Sequence, residues 1–416
     1  VINHTDFLAL RHHSHLSRIV LRMSRFTTGH KFYVFGRGAA TALSFVFALL
    51  YSKELGVINR SYLVVIMTSS VLIAVTLTSG TTLTLRNLGA HNKSKDTLSS
   101  FSSMIAIEAL IGIVVFWITM LVFSILKYPI HPTLFTIALL YFGASVAHLV
   151  VFELLIAFTA FKFLATSEIF TIILQIGFFF MIGNFFDVSI ASKVLFSFIL
   201  AYSGIVASGL IYLKHNCGYS VSFGKPLIFF RLAKGNHTLG SVLGIVDRFD
   251  RLIIAWFLPL SLLGKYAVMS SAISLFRFFP EAFSKLIVAT KSEAWRKYLQ
   301  TKYIWVVSFV LLTIAVLLLQ SIIEIVLGPN WLLPISISYV FALQELARGM
   351  FQVTGNYNIS IGKSGRAHSA ALYLLAITGP AAYVLSLFIG LIGVPLGFLL
   401  SYVFVLLLLR EKKQSV

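Results

Sequence analysis

The stretch GIVDRFDRLIIAWFLP sets Asp247, Arg248, Asp250 and Arg251 within five residues of an otherwise apolar segment. In lipid that is costly, because a charge at mid-bilayer is unfavourable by about 2.5–3.5 kcal/mol on insertion scales and calls for a partner or a water-filled cavity. On a helix Asp247 and Arg251 stand at i,i+4 and can pair, while Arg248 and Arg251 share a face at i,i+3. Arg277 and Glu281 repeat the theme at i,i+4, and Glu345 and Arg348 at i,i+3. Glu108 lies in another apolar stretch without a local partner. The guanidinium fork suits phosphate and carboxylate oxygens. Arg37, Arg248, Arg251, Arg277 and Arg348 are therefore candidates to meet an anionic substrate in a hydrated cavity. Glu108, Asp247, Asp250 and Glu345 are candidates to carry a coupling proton or sodium ion. The competing reading is that these charges are internal ion pairs holding helices together, and for Arg277–Glu281 it is equally good. The carboxylates nearly balance the arginines, so by count alone the cavity is not strongly cationic.

Other polar residues read more plainly. Arg37 lies a few residues into the first apolar stretch and can snorkel to the interface. Glu153 and Glu324 fall near the ends of theirs, within reach of water. His148, one turn before Phe152, reads as a satisfied interior histidine. GKSG (Gly362 to Gly365) imitates the end of a phosphate-binding loop, but Tyr357 occupies the place of the required first glycine and no strand precedes it. It is a turn and holds no ATP. The single cysteine, Cys217, excludes an intrachain disulfide and a cysteine-based metal site. RHHSH (Arg11 to His15) belongs to a polar opening segment without an apolar signal core, and Met23 offers an alternative start. No catalytic signature, cofactor motif or metal motif is present.

The elements that position these residues follow from composition. Of 416 residues, 58% are hydrophobic and 11% charged. Soluble domains are about 45–50% apolar and about 25% charged, so the excess implies lipid as solvent. Backbone groups in lipid must be satisfied internally, which selects helices. A ruler of about 20 residues per crossing predicts an all-α polytopic membrane protein of about twelve spans: 32–52, 61–85, 101–126, 132–157, 167–186, 188–213, 238–260, 262–288, 303–327, 332–358, 368–388 and 391–409. The last two are divided by the turn Gly390 to Gly393.

The formal charge of +19 would suggest nucleic acid in a soluble protein. Here it reflects retention of lysine and arginine on the cytoplasmic side. With the N-terminus inside, 23 of the 33 basic residues fall in cytoplasmic segments and 5 on the opposite side, Lys53, Arg60, Lys127, Lys193 and Lys265. Both termini are expected in the cytoplasm. Residues 1–31 read as a basic tail, in part untranslated, 32–213 as a first six-helix bundle, 214–237 as a cytoplasmic linker, 238–409 as a second bundle and 410–416 as a tail. KSEAWRKYLQTK (Lys291 to Lys302) reads as a short interfacial helix on anionic headgroups. ELG (Glu54 to Gly56) and LLGKY (Leu262 to Tyr266), with FEL (Phe152 to Leu154) and QEL (Gln344 to Leu346), hint at a six-plus-six duplication.

These features together carry a resemblance. Twelve spans without a soluble domain, the ELG after span one, DRFDRLIIAWFLPLSLLGKYAV (Asp247 to Val268), Pro280–Glu281 closing span eight and LGPNW (Leu327 to Trp331) look like the polysaccharide flippases. These are the O-antigen and exopolysaccharide translocases of the multidrug/oligosaccharidyl-lipid/polysaccharide exporter superfamily. The resemblance runs over residues 31–409. The chain departs from the pattern in placing VINRS between Gly56 and Tyr62. The resemblance implies two six-helix bundles in the inner membrane, rocking about a central cavity. The cargo it implies is a polyprenyl-pyrophosphate-linked oligosaccharide, with polysaccharide polymerase and glycosyltransferase partners. Two other classes compete. A cation-coupled exporter of drugs or small metabolites calls for an acid-dominated cavity. A membrane glycosyltransferase or polymerase calls for a large loop or catalytic domain, and no segment of the chain has that length.

Overall fold

The computed structural model describes residues 28–88, 94–126, 130–185, 188–290, 302–360 and 364–409. The side chains of Arg277 and Glu281, residues 291–301 of the expected interfacial segment, and Gly362 and Lys363 of the GKSG turn lie outside the described set. The described chain is helical apart from short connections, with no strand among these residues.

The first half comprises α1 (Thr28–Leu88), α2 (Lys95–Leu126), α3 (Pro132–Ala157), α4 (Phe161–Phe185) and α5 (Ile190–Cys217). The second comprises α6 (Pro226–Phe257), α7 (Leu260–Thr290), α8 (Lys302–Leu327), α9 (Ile335–Ser360), α10 (Ser364–Ile389) and α11 (Gly393–Leu409). Every span expected from hydropathy coincides with a helix or a helical limb. Six stretches are long and apolar enough to cross a bilayer on length and composition. Two of them, Phe32–Arg86 and Gly365–Leu409, run to 55 and 45 residues and so hold two crossings each. The charged α6 and α9 and the partly described α7 and α8 fall short of that criterion.

Helix α1 departs from expectation. The polar SKELGVINRS between spans one and two is not a loop. It is helical on both sides of Gly56, whose φ of 71° and ψ of 169° break the rod at one residue. A positive φ of this kind is open to glycine and strained for a side chain. The two limbs turn back on each other: the Arg60 guanidinium lies over the Tyr51 ring, and both limbs line one cavity.

Within the first half α1 packs on α2, α3 and α4, and across the halves on α6 and α7. In the second half α6 packs on α10, α7 on α9, and α10 and α11 form a tight hairpin. At that hairpin a Cβ on Gly397 would stand 2.5 Å from the Ala382 backbone, so only glycine allows the approach. Helix α5 ends on Gly218 in the left-handed region, and α6 begins at Pro226. Much of 214–237 is therefore helical. The extended piece is strapped to the start of α2, where the Gly224 N–H meets Ser103 Oγ at 2.8 Å.

Outward faces are apolar, with Phe388 at 80% and Ile325 at 83% exposure. Such surfaces are stable against acyl chains rather than water. Inside, hydroxyls donate to the carbonyl four residues back, as in Thr78 to Ala74, Thr171 to Ser167 and Ser401 to Gly397. A polar side chain so bonded needs no water.

Candidate functional site

A cavity of about 350 Å³ opens between the limbs of α1 and helices α3 to α7. Its charged lining comprises Arg37 and Arg60 from α1, Glu168 from α4, and Arg248 and Arg251 from α6. Hydroxyls come from Ser270, Ser271 and Ser274 on α7, and Gln175 faces it from α4.

Each arginine is held differently. Arg37 Nη1 donates to Glu168 Oε1 at 2.8 Å. The expectation that Arg37 snorkels to the interface is thus corrected, because a buried carboxylate three helices on in the chain claims it. Arg251 Nη2 donates to Ser270 Oγ at 2.6 Å, while its Nε is buried without a hydrogen-bond partner among the described residues. Arg60 is 4% exposed, with its guanidinium carbon 4.4 Å from the Tyr51 ring centre. Its Nε and Nη1 are likewise buried and unbonded among the described residues. The sequence placed Arg60 in an outer loop. It lies in the cavity wall because α1 stays helical through SKELGVINRS.

The acids do not share this wall. Asp247 forms an ion pair with Arg348, and Glu345 Oε1 accepts from Arg348 Nη1 at 3.1 Å. Asp250 accepts from the Tyr266 hydroxyl and from the Arg251 backbone N–H, both at 2.8 Å. The expected local pair Asp247–Arg251 is therefore not made. Arg348, from α9, offers Asp247 a buried guanidinium, and Ser270 takes Arg251. The near balance of charge expected by count is corrected as well: the lining holds four arginines against Glu168. Asp247, Asp250, Glu345 and Arg348 are brought together behind it.

Three further residues differ from their sequence reading. His148 lies at the cavity, stacked on Tyr202 at 4.1 Å and tilted against Phe152 at 4.3 Å between ring centres, with Nε2 unbonded among the described residues. Glu153 does not reach water but is buried against Arg86, itself expected in a loop. Glu108 has a partner that local spacing could not show. Its Oε1 accepts from Thr81 at 2.5 Å, and His237 Nε2 lies 2.7 Å away.

No family model and no curated protein matches the chain. Solved structures do. A lipid II flippase MurJ, in an inward closed conformation, aligns with a TM-score of 0.68 at 15% identity, covering 91% of this chain and 86% of that one. The Vibrio cholerae MATE transporter VcmN, in a bent form, gives 0.62 at 14% identity over 92% and 98%. The eukaryotic MATE transporter AtDTX14 gives 0.63 at 13% identity over 92% and 95%. The chain shares the fold of these three proteins. Two six-helix bundles around a central cavity, expected from the resemblance, describe it. The solved neighbours are transporters and a flippase rather than enzymes, and this multi-pass membrane protein shares their fold.

Glu168 and Arg60 were missed as site residues. Glu168 lies in the apolar run after Lys162, where an unaccompanied carboxylate was itself a signal. For Arg60 the signal was Gly56, the one residue in that stretch that readily breaks a helix.

Proposed function

We propose that the protein translocates a polyprenyl-pyrophosphate-linked oligosaccharide repeat unit across the cytoplasmic membrane by alternating access, for surface polysaccharide synthesis. The observation that carries this reading is the excess of arginine in the cavity wall. Pyrophosphate oxygens accept forked, charge-assisted bonds from guanidinium groups, and Arg60 and Arg251 carry buried N–H groups without a hydrogen-bond partner among the described residues. Hydroxyls and Gln175 offer further partners for sugars. The lipid tail stays in the bilayer while the headgroup, which hydrocarbon excludes, crosses through the cavity. Arg37, Arg60, Arg248 and Arg251 bind the headgroup, and the halves rock about the connection after α5. The fold shared with a protein titled a lipid II flippase supports a lipid-linked cargo. An exporter of cationic drugs fits a wall rich in carboxylates, and here Glu168 is already bonded to Arg37.

The test is a deletion strain complemented by wild type or by the double variant Arg60→Gln/Arg251→Gln. Without function, surface polysaccharide is lost. The complete lipid-linked repeat unit then accumulates on the inner leaflet, protected from added glycosidase. Unchanged polysaccharide in the deletion strain, or a unit fully exposed outside, overturns the proposal.

A further inference from the structure

Below the cavity, on the limb of α1 that follows Gly56, the two halves are joined by a compact polar cluster. Glu108 is on α2, Thr81 on α1 and His237 on α6. Glu108 is 3% exposed. A carboxylate only accepts, so the Thr81 hydroxyl and the His237 Nε2–H both donate to Oε1, at 2.5 and 2.7 Å. Thr81 and His237 are also 3.2 Å apart, closing a triangle. Its other oxygen, Oε2, is buried without a hydrogen-bond partner among the described residues.

The triangle is flanked on both sides by bonds of the same kind. Asn236 Nδ2 donates to Thr84 Oγ1 at 2.9 Å, and Ser241 Oγ to the Thr76 carbonyl at 2.6 Å. Glycines let the two backbones meet. A Cβ on Gly80 would fall 2.2 Å from His237 Cα, one on Gly240 2.5 Å from Ser79 Oγ, and one on Gly244 2.8 Å from Val75 Cγ1. Gly240 and Gly244 have the spacing that permits close helix crossing in membranes. Along α1 the order is therefore cavity wall from Arg60 to Val71, then cluster from Thr76 to Thr84. At 1.5 Å per residue, Thr81 lies about 15 Å beyond Val71.

We infer that Glu108, Thr81 and His237 form the gate of the transporter on the side where α1 ends and α6 begins. Every bond of the cluster to α6 joins the first half to the second, so opening this face must break them together. Parting in hydrocarbon would leave the His237 imidazole, the Asn236 amide and the Ser241 hydroxyl without these partners, and the Glu108 carboxylate with Thr81 alone. They can separate only as water replaces each donor, and that opens an aqueous path to the cavity. Helix pairs that merely pack do not need this much polarity; a contact that must alternate between dry and wet does. The inference rests on the alternating-access part of the proposed function and not on the cargo.

The test is independent of cargo. In a Cys217→Ser background, Thr84→Cys with Asn236→Cys should form a disulfide under mild oxidation in native membranes. A single reporter, Ser79→Cys, should react at least tenfold faster with an impermeant maleimide when His237→Ala or Glu108→Ala breaks the triangle. The gain should appear only in vesicles presenting the face of Leu88 and Pro226. A Ser79→Cys rate unchanged by both substitutions, with the protein present at wild-type level, overturns the gate. A pair that cannot be cross-linked overturns it too. Reactivity that rises equally from both faces is unfolding and counts against it. Unchanged surface polysaccharide in the deletion strain, with the gate response intact, overturns the cargo reading and leaves the gate standing.

Discussion

The Arg60 guanidinium lies 4.4 Å above the Tyr51 ring, the two residues facing each other across the bend of α1. A desolvated cation over an aromatic face is worth about 2 kcal/mol, and a flat guanidinium can stack while its edge stays open to a ligand. Lysine keeps the charge and loses the plane. Arg60→Lys should therefore insert and accumulate normally yet fall at least tenfold in transport, as measured by surface polysaccharide in the complemented deletion strain. Wild-type transport by Arg60→Lys would mean that charge alone suffices there.

Asp247 and Arg348 join α6 to α9, and the pair is expected to act through stability rather than through the cavity. Arg348 is 4% exposed and keeps Glu345, whereas Asp247 is 30% exposed. Removing one partner of a buried pair costs about 3–5 kcal/mol; with Glu345 remaining, Asp247→Ala should fall near the lower end. Replacing both by apolar residues, Asp247→Leu with Arg348→Met, should recover most of the loss. Thermal unfolding of the four proteins in detergent closes the cycle, and strictly additive single losses would show that the two side chains do not interact.

Two glycines give opposite expectations. A methyl on Gly80 meets the His237 backbone, while one on Gly355 meets nothing within 4 Å. Gly80→Ala should destabilise by about 1–3 kcal/mol as the crossing helices are forced apart. Gly355→Ala, in the body of α9, should be neutral or stabilise by up to about 1 kcal/mol. The comparison is read from melting in one detergent.

Cys217 ends α5 and is partly exposed. On the sequence count of 23 basic residues to 5, this end is expected in the cytoplasm. An impermeant thiol reagent should leave Cys217 unlabelled in intact cells and react with it in inside-out vesicles. Labelling from outside would reverse the orientation.

What was legible follows from the range of each interaction. Helix positions depend on runs of apolar residues, and from α2 to α11 the expected spans fall on the observed helices. The i,i+3 pair Glu345–Arg348 is local and is present. Asp247 instead pairs with Arg348, and Glu108 with His237, each partner lying in a different helix. Spacing along one helix can say which side chains share a face, not which helix will be packed against it. The charge balance of the cavity was misread for the same reason. Counting assigned Asp247, Asp250 and Glu345 to the wall, whereas Arg348 and Tyr266 hold them behind it.

The bend at Gly56 also bears on how the chain is made. It fuses the first two crossings into one helical hairpin, so both limbs leave the ribosome and reach the bilayer as a unit. Arg60 must then be placed in lipid long before Arg248, Arg251 or the serines of α7 have been synthesised. Tyr51 precedes it in the chain and covers its charge at once. The ring that covers Arg60 in the finished protein thus lies in the same hairpin, and the cation's partner is made before the half still to come.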